Sequence, residues 1–429
     1  MTQRKFVHRG IALAAAVTLA LTACGDGNGG SDDPTEGEGG GSAEPLVVGT
    51  LLPITGTLAF LGPPEVAGVG VAVDEINEAG GVLGNDVELV ETDSGDTTDL
   101  NVSTQSATEL ISQGANVVIG AASSGVSLNV VDQLTEAGVM MISPANTSTT
   151  LSGYSPLYSR TAPPDTVQGA ALGSLILDEG YTRVGMLVQN EDYGTGLRNV
   201  VEDTLTAGGG EIVYGGADGG QEFQPGETNF SAQVTSLLAQ EPDAILIIAF
   251  DETQAIISEL VGQNWDMTTT FYTDGNTASY EDGFDAGTLA GALGTIPGAR
   301  ANDEFRALLS DWYEENEGSP LTDYSYGPES YDAVILAALA AIRGGATDGQ
   351  TIADNLRAVS GSEEGSVEVA TFAEGVEALE NGDEINYQPV SGVGPINEDM
   401  DPSSAFIGIY EFDDNNVPIY QRSIEGNIG

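Results

Sequence analysis

The chain has 429 residues, with 66 acidic and 11 basic side chains and a formal net charge of −55 at pH 7. Its length allows two lobes, each with its own core, and a hydrophobic content of 40% is typical of a globular protein. The acidity argues against nucleic acid as a partner, because phosphate contacts need a basic surface.

The first 23 residues have the pattern of a signal peptide. Arg4, Lys5 and Arg9 precede the apolar run "GIALAAAVTLAL", which is too short to span a bilayer. The segment ends in "LTAC", which resembles the lipobox of bacterial lipoproteins, and Cys24 is the only cysteine. This resemblance implies lipidation at Cys24 and an extracytoplasmic protein anchored to the bacterial cell membrane. An ordinary secretory signal with a chance cysteine is the alternative.

Residues 24–45 are predicted to form a flexible acidic tether. The stretch "GDGNGGSDDPTEGEGGGSAEP" has no aromatic residue and no Val, Ile or Leu, so it cannot bury a core. No later apolar run approaches the length of a membrane span; "AVILAALAAI" is among the longest.

Removal of the signal peptide also removes His8 and Lys5, the only histidine and lysine, and leaves 8 arginines against 66 acids, a formal charge of −58. A Ser-His-Asp triad, histidine or thiolate zinc sites and a Walker A motif are thereby excluded. No metal or cofactor is predicted, since the acidic stretches "NEDMDPSS" and "DDNN" lack calcium-loop spacing. Carboxylate-only hydrolysis remains open.

After the tether, short apolar strands alternate with amphipathic helices. The strands are predicted at 46–52 and within "VELVET", "ANVVIG" and "GVMMISP"; the helices are predicted at 64–79, through Leu110 and at 124–136. Because the strands are apolar throughout, the pattern predicts a parallel sheet covered on both faces.

A second cycle follows "PLYSRTAPPD". Its strands are predicted at 183–189, 243–250, 268–274 and in "EIVYGG", and its helices at 166–179, 194–208, 229–240 and 252–264. A helical region at 301–343 contains "YDAVILAALAAI", which is apolar nearly all round and therefore predicted to be buried. Residues 360–388 are predicted to be loop-rich, and "AFIGIYEF" and "VPIYQRSI" to pair as a hairpin around "DDNN".

A series of segments carries a family resemblance that covers nearly everything from Leu46 onward. They are "VGTLLPITGTLAFLG", "AVDEINEAGGVLG", "VVIGAASSGVS", "VMMISPANTS", "YSRTAPPDTVQG", "NEDYGTGL", "DAILIIAF", "SYDAVILAALAAI" and "NYQPVSGVGPIN". Together they resemble the solute-binding proteins of branched-chain amino-acid ABC importers, which have the type I periplasmic-binding fold.

The resemblance implies an α/β protein of two Rossmann-like lobes with parallel-type sheets, joined by a three-crossover hinge near Arg160, Gly294 and Gln388. Lobe 1 is then 46–160 plus 295–388, and lobe 2 is 161–294 plus 389–429. Ligands of open α/β sheets bind at the carboxyl ends of the strands, which places the expected site between the lobes. Hinged closure traps the ligand there.

Ser123 and Ser124 stand where the strand "NVVIG" gives way to a helix. Helix N-termini attract anions through unpaired N–H groups and partial positive charge. The resemblance implies that Ser124 binds the ligand's α-carboxylate, with Ser123 beside it. The alternative from the residues alone is that Ser124 only caps its helix, which contributes about 1 kcal/mol.

Further ligand contacts are implied by the same resemblance. In "ISPANTST", Thr147 is the expected second carboxylate donor and the Ala145 carbonyl is expected to accept from the ligand's ammonium, although the segment also reads as a plain turn. Asp274 is the expected partner of the ammonium; its alternative is an Asp-Gly turn. The remaining expected contacts are Tyr193, Phe250 and Leu61, with Asp192 expected only to cap a helix.

The resemblance implies a monomeric, non-enzymatic solute receptor that delivers a small amino acid or similar solute to an ABC permease. Two other classes stay open at this stage. One is the ligand-binding component of a sensory system, because the same fold forms sensory ectodomains. The other is an extracellular carboxylate-dependent hydrolase, which needs paired acids in the cleft.

Overall fold

The computed structural model describes residues 44–427. The predicted signal peptide, Cys24 and the tether up to residue 43 lie outside these residues. Within residues 44–427, no helix combines the length and the apolar character needed to cross a membrane.

A five-stranded, wholly parallel sheet forms the first lobe, with strand order β2-β1-β3-β4-β5. Its strands are β1 (Val47–Leu52), β2 (Glu88–Asp93), β3 (Val117–Gly120), β4 (Met140–Ser143) and β5 (Tyr158–Arg160). The strands β1, β3 and β4 are almost entirely buried, as expected for a parallel sheet covered on both faces. The predicted strands of this half are confirmed.

Helices cover both faces of this sheet. The intervening helices are α1 (Gly62–Glu78), α2 (Asn101–Ser112) and α3 (Ser124–Glu136), with a short 3₁₀ turn at Thr149–Leu151. α2 and α3 bury their apolar stripes on one face, and α1 lies on the other. The prolines at the start of α1 suit a first helical turn, whose N–H groups have no intrahelical partner.

A seven-stranded sheet forms the second lobe, in the order β14-β13-β10-β9-β8-β6-β7. The strands are β6 (Arg183–Val188), β7 (Glu211–Tyr214), β8 (Ala244–Ile248), β9 (Thr270–Tyr272), β10 (Leu293–Pro297), β13 (Ser404–Phe412) and β14 (Pro418–Asn427). The covering helices are α4 (Asp165–Asp178), α5 (Asp192–Ala207), α6 (Ser231–Leu238) and α7 (Thr253–Gly262), with a 3₁₀ turn at Met267–Thr269. Within this sheet β13 runs opposite to the other strands and pairs antiparallel with both β10 and β14, and its pairing with β14 confirms the closing hairpin.

The last third of the chain returns to the first lobe. It contains α8 (Asp303–Glu317), α9 (Gly327–Gly344), α10 (Gly349–Val359), β11 (Val367–Val369), α11 (Phe372–Glu380) and β12 (Ile385–Tyr387). The α9 segment from Ala333 to Ala341 is fully buried, as its all-round apolar sequence predicts. The prediction that 360–388 is loop-rich is wrong, because β11 and β12 pair in parallel and α11 lies between them.

The chain passes between the lobes three times. The first passage follows Arg160 at the end of β5. The second comes later than the expected position near Gly294, because β10 continues in the second sheet to Pro297. The third ends at Ser404, where β13 begins; the preceding residues Ile396 and Met400 still pack in the core of the first lobe.

Candidate functional site

All eight side chains predicted from the sequence to contact a ligand line one cavity between the lobes. They are Leu61, Ser123, Ser124, Ala145, Thr147, Tyr193, Phe250 and Asp274. They follow β3, β4, β8 and β9, at the carboxyl ends where α/β sheets bind ligands, or flank α1 and α5. The cavity measures about 20 Å³, which is room for about one water molecule, so the lobes are closed.

The two serines of the loop before α3 accept hydrogen bonds from different amides. Ser123 is the N-cap of α3, and its Oγ accepts from the amide of Val126 at 3.2 Å. Ser124 is therefore not the cap; it is the first helical residue, and its Oγ accepts from the amide of Ser148 at 3.2 Å. The approach to this loop needs a glycine, because a Cβ on Gly120, whose φ is +133°, would stand 2.1 Å from the Leu51 carbonyl oxygen.

A carboxylate of the second lobe occupies the N-terminus of α3. Glu191 Oε1 accepts from the amide of Gly125 at 2.7 Å and from the Ser123 hydroxyl at 3.1 Å. The same side chain caps α5, where its Oε2 accepts from the Tyr193 amide at 3.2 Å. The expectation that Asp192 caps this helix is wrong: Glu191 is the cap, and the exposed Asp192 is the first helical residue.

Burial raises the pKa of Glu191 to about 7, against the opposing effect of its hydrogen bonds from Gly125 and Ser123. The residue is thus a buried acid shared by two helix N-termini, one in each lobe. Its contacts with α3 require the lobes to be closed. A role for Glu191 was not predicted from the sequence, although the residue stands in "NEDYGTGL".

Thr147 supplies a buried hydroxyl whose neighbour within the protein is the Asp165 carboxyl. Its Oγ1 is buried and makes no hydrogen bond of normal geometry. A buried polar atom without a partner is uncommon and needs an explanation such as a ligand. Ser124 and Thr147 stand on adjacent loops, since the Ser124 hydroxyl receives the amide of the residue that follows Thr147.

Asp274 is held by the second lobe and by α9. Its Oδ1 accepts from the Tyr193 hydroxyl at 2.6 Å and from Gln168 Nε2 at 2.9 Å. Its Oδ2 accepts from the Tyr326 hydroxyl at 2.6 Å. Burial raises the pKa of Asp274, and the Tyr193, Tyr326 and Gln168 hydrogen bonds work in the opposite direction.

A second buried acid, Asp165, stands close to Asp274. It is the first residue of α4 and is fully buried, and neither carboxyl oxygen makes a hydrogen bond of normal geometry, although Thr147 is its neighbour. Burial, and next the charge of Asp274, raise the pKa of Asp165 well above its ordinary value. The sequence analysis did not assign Asp165; its signal was an acid opening a helix directly after two prolines in "TAPPDTVQG".

Apolar and aromatic groups form the rest of the wall. Tyr193 stacks on Phe250 with a centroid distance of 5.4 Å and an interplanar angle of 16°. Leu58 and Leu61 from the first lobe belong to the same hydrophobic cluster as these rings. Tyr326, which the sequence analysis also missed, completes the wall; its left-handed backbone, with φ of +60°, is rare for a non-glycine residue.

Within residues 44–427, no group of three or more His, Cys, Asp or Glu side chains is placed to hold a metal ion. The arginine nearest the site, Arg160, is fully buried in an ion pair with Asp401 at the hinge. In the part of the chain that the structure describes, neither Arg160 nor any other arginine lines the cavity. A ligand carboxylate bound here therefore meets neutral hydroxyl and amide donors.

Two α/β lobes that close on a small cavity at the carboxyl ends of their strands match the arrangement in which open α/β sheets bind a ligand. A sequence model of the family described as periplasmic binding protein matches residues 45–380. The chain belongs to this family.

Relatives of this chain include a substrate-binding protein of a chemotactic system and a Leu/Ile/Val-binding protein. The chain is 26% identical over 383 residues, 85% of its length and 87% of the relative's, to the chemotactic signal transduction system substrate-binding protein BasB of Halobacterium salinarum. It is 32% identical over 203 residues, 47% of its length and 53% of the relative's, to the Leu/Ile/Val-binding protein BraC3 of Rhizobium johnstonii. The chain thus spans about half the length of the latter.

A solved structure shares the fold. The leucine-binding protein LivK of Thermotoga maritima superposes with a TM-score of 0.71, covering 88% of this chain and 98% of that protein at 22% identity. The type I periplasmic-binding fold with two lobes, expected from the sequence, is confirmed.

Proposed function

We propose that this protein is the solute-binding component of an ABC importer and binds a small α-amino acid of the branched-chain type in the interlobe cleft. The observation that carries the proposal is the polarity of the cavity. Neutral polar groups lie on the first lobe, at Ser124 and at the buried Thr147 hydroxyl. Buried acids, Asp274 and Asp165, lie on the second. This arrangement matches an α-carboxylate on one side and an ammonium on the other.

The binding energy is feasible without a cation. Hydrogen bonds to a charged group contribute about 1.5–3 kcal/mol each, and micromolar affinity needs roughly 8 kcal/mol. A few such bonds, with the apolar wall around Leu61 and Phe250, account for affinity in that range after association costs. The aliphatic side chain of the ligand then packs against this wall.

We infer that a lipid on Cys24 anchors the mature protein to the outer face of the cell membrane, where it acts as a monomer beside its permease. The support is the "LTAC" motif with its single cysteine. We also propose that the protein is not an enzyme. The support is the match to the periplasmic binding protein family over residues 45–380.

A thermal-shift series tests the binding proposal. Leucine, isoleucine and valine are compared with 4-methylpentanoate, which lacks the ammonium, and with leucinamide, which lacks the carboxylate. A ligand at 100 times its Kd should add about 2.7 kcal/mol of stability. We expect shifts from the amino acids and weak or no shifts from the two analogues. A shift from another solute class, with none from any amino acid, contradicts the proposal.

A receptor that serves chemotaxis is the second candidate, favoured by the similarity to BasB, the substrate-binding protein of a chemotactic signal transduction system. Both candidates bind the same kind of ligand, so binding does not separate them. Uptake of radiolabelled amino acid and swimming toward that amino acid are measured in cells that lack the protein. Loss of uptake supports the importer, and loss of chemotaxis with normal uptake supports the sensory role.

A further inference from the structure

A second and much larger cavity lies beside the hinge. It measures about 650 Å³, within the range of small-molecule sites, whereas the cleft cavity measures about 20 Å³. Its walls come from both lobes: Phe60 and the segment before α9 from the first, and strands β10, β13 and β14 from the second. Tyr326 lines both cavities and separates them.

Two arginines line this hinge cavity, in a chain that keeps only 8 arginines after the signal peptide. Arg300 and Arg306 share a single carboxylate: Asp303 lies 2.7 Å from an Arg300 nitrogen and 3.8 Å from an Arg306 nitrogen. Asp303 is exposed and is not part of the wall. One positive charge at this wall is therefore not balanced by the shared carboxylate.

Two acids, Asp323 and Glu329, also stand in the wall. Burial raises the pKa of Glu329 well above its ordinary value, and burial also raises the pKa of Asp323. Both shifts favour the neutral form of the acids. The hinge cavity thus places two arginines beside two acids whose ionised forms are disfavoured by burial.

Five aromatic side chains also line the hinge cavity. The Arg306 guanidinium lies over the Tyr324 ring, 4.1 Å from its centroid. Tyr410 and Tyr420 meet edge to face at 5.6 Å, and Phe60 faces the same cavity from the first lobe. Tyrosine rings and a stacked guanidinium form flat walls that suit a planar ligand.

We propose that the hinge cavity is a second binding site, for a small aromatic carboxylate. The carboxylate pairs with Arg306 and Arg300, and the ring lies among the tyrosines. Because both lobes form the wall, the bound anion changes the closure equilibrium and hence the affinity of the cleft for its own ligand. By linkage, the cleft ligand changes the affinity for the aromatic anion by the same factor.

Titration calorimetry on the whole mature protein tests this site. The probes are benzoate, phenylacetate and 1-naphthoate, with benzamide as the uncharged control, each with and without a saturating amino acid. We expect at least one acid to bind and benzamide not to bind. We also expect Arg306→Gln to weaken the acid at least tenfold, and Arg422→Gln, which removes an exposed arginine of β14 outside the cavity, to leave it unchanged.

The outcomes also separate the hinge cavity from the cleft. Thr147→Val alters only the cleft, so the acid must still bind to that variant, and Arg306→Gln must keep its amino-acid thermal shift. Binding that is lost in Thr147→Val but kept in Arg306→Gln assigns the acid to the cleft and overturns the proposal. Absence of binding by all three acids, or an equal effect of Arg306→Gln and Arg422→Gln, also overturns it.

Discussion

Arg160 and Asp401 form a fully buried ion pair that ties the first passage between the lobes to the third. Arg160 Nε lies 2.6 Å from Asp401 Oδ1, and Nη2 lies 3.1 Å from Oδ2, so the pair is bidentate. The same guanidinium donates to the Ser148 carbonyl at 2.9 Å, on the loop that follows Thr147. The ion pair therefore fixes the hinge and one wall of the cleft together.

We expect Asp401→Ala to lower the free energy of unfolding by about 3–5 kcal/mol, because it leaves the buried Arg160 charge without its partner. Urea denaturation of the ligand-free protein measures the change. Glu398→Ala, an exposed acid of the same segment, is the control and should stay within about 0.5 kcal/mol of wild type. Equal losses in the two variants would mean that the ion pair has no special role.

Thr147→Val separates ligand recognition from stability. The Thr147 hydroxyl is buried beside the Asp165 carboxyl and makes no hydrogen bond of normal geometry, so its removal should change the stability of the ligand-free protein by no more than about 1 kcal/mol. The loss of one hydrogen bond to a charged ligand should weaken amino-acid binding by about 10- to 150-fold. Calorimetry and thermal melts give the two values; a drop in stability with unchanged affinity refutes the assignment.

Ser124→Ala is the informative comparison for Thr147→Val. In wild type the Ser124 Oγ accepts from the buried Ser148 amide. Alanine at position 124 leaves that amide without this partner. We therefore expect Ser124→Ala to lower stability by about 1–3 kcal/mol as well as to weaken binding. A Ser124→Ala variant as stable as wild type would show that the Ser148 amide finds another partner.

Local patterns were enough to predict most of the fold. The helix beginning at Ser124 and the buried helix α9 follow from apolar spacing alone, since each pattern is complete within its own segment. The strand β10 was not predicted, because "LGTIP" contains a glycine and a proline and becomes a strand only between β9 and β13. Strands β11 and β12 have three residues each, and each is a strand only because it pairs with the other.

The site was predicted less completely, for a related reason. Seven of the eight expected residues came from segments with a family resemblance, Asp274 came from the end of the strand predicted at 268–274, and all eight line one cavity. Glu191 was missed because its partner, the Gly125 amide, is 66 residues away in the chain. Tyr326 was missed because only the folded structure brings its hydroxyl to Asp274.

The two buried acids of the cleft should respond differently to neutralisation. Asp165→Asn removes a carboxyl that makes no normal hydrogen bond within the protein, so we expect unchanged or higher stability with weaker amino-acid binding. Asp274→Asn disturbs the Tyr193, Tyr326 and Gln168 network, so we expect losses in both stability and affinity. Affinities for leucine and 4-methylpentanoate are compared: a leucine preference kept in both variants contradicts ammonium recognition by these acids.

Glu191 makes stability depend on pH. In the folded protein its pKa is about 7, raised by burial above the ordinary value of 4.5. The folded state therefore binds a proton more tightly than the unfolded state does, and stability from this group is lost as pH rises through 7. Asp332, whose pKa burial raises to about 6, acts in the same direction at lower pH.

We expect the free energy of unfolding to increase as pH falls from 8 to 6, with roughly 1 kcal/mol of the gain from Glu191. Glu191→Gln keeps an acceptor for the Gly125 amide but cannot take up the proton. Its free energy of unfolding should therefore rise less than that of wild type as pH falls from 8 to 6. The nearby acids Asp165 and Asp192 remain in both proteins. Asp203→Asn, on the exposed face of the same helix, is the control. Urea denaturation at pH 8, 7 and 6 measures the difference, and parallel curves for wild type and Glu191→Gln would remove Glu191 as the titrating group.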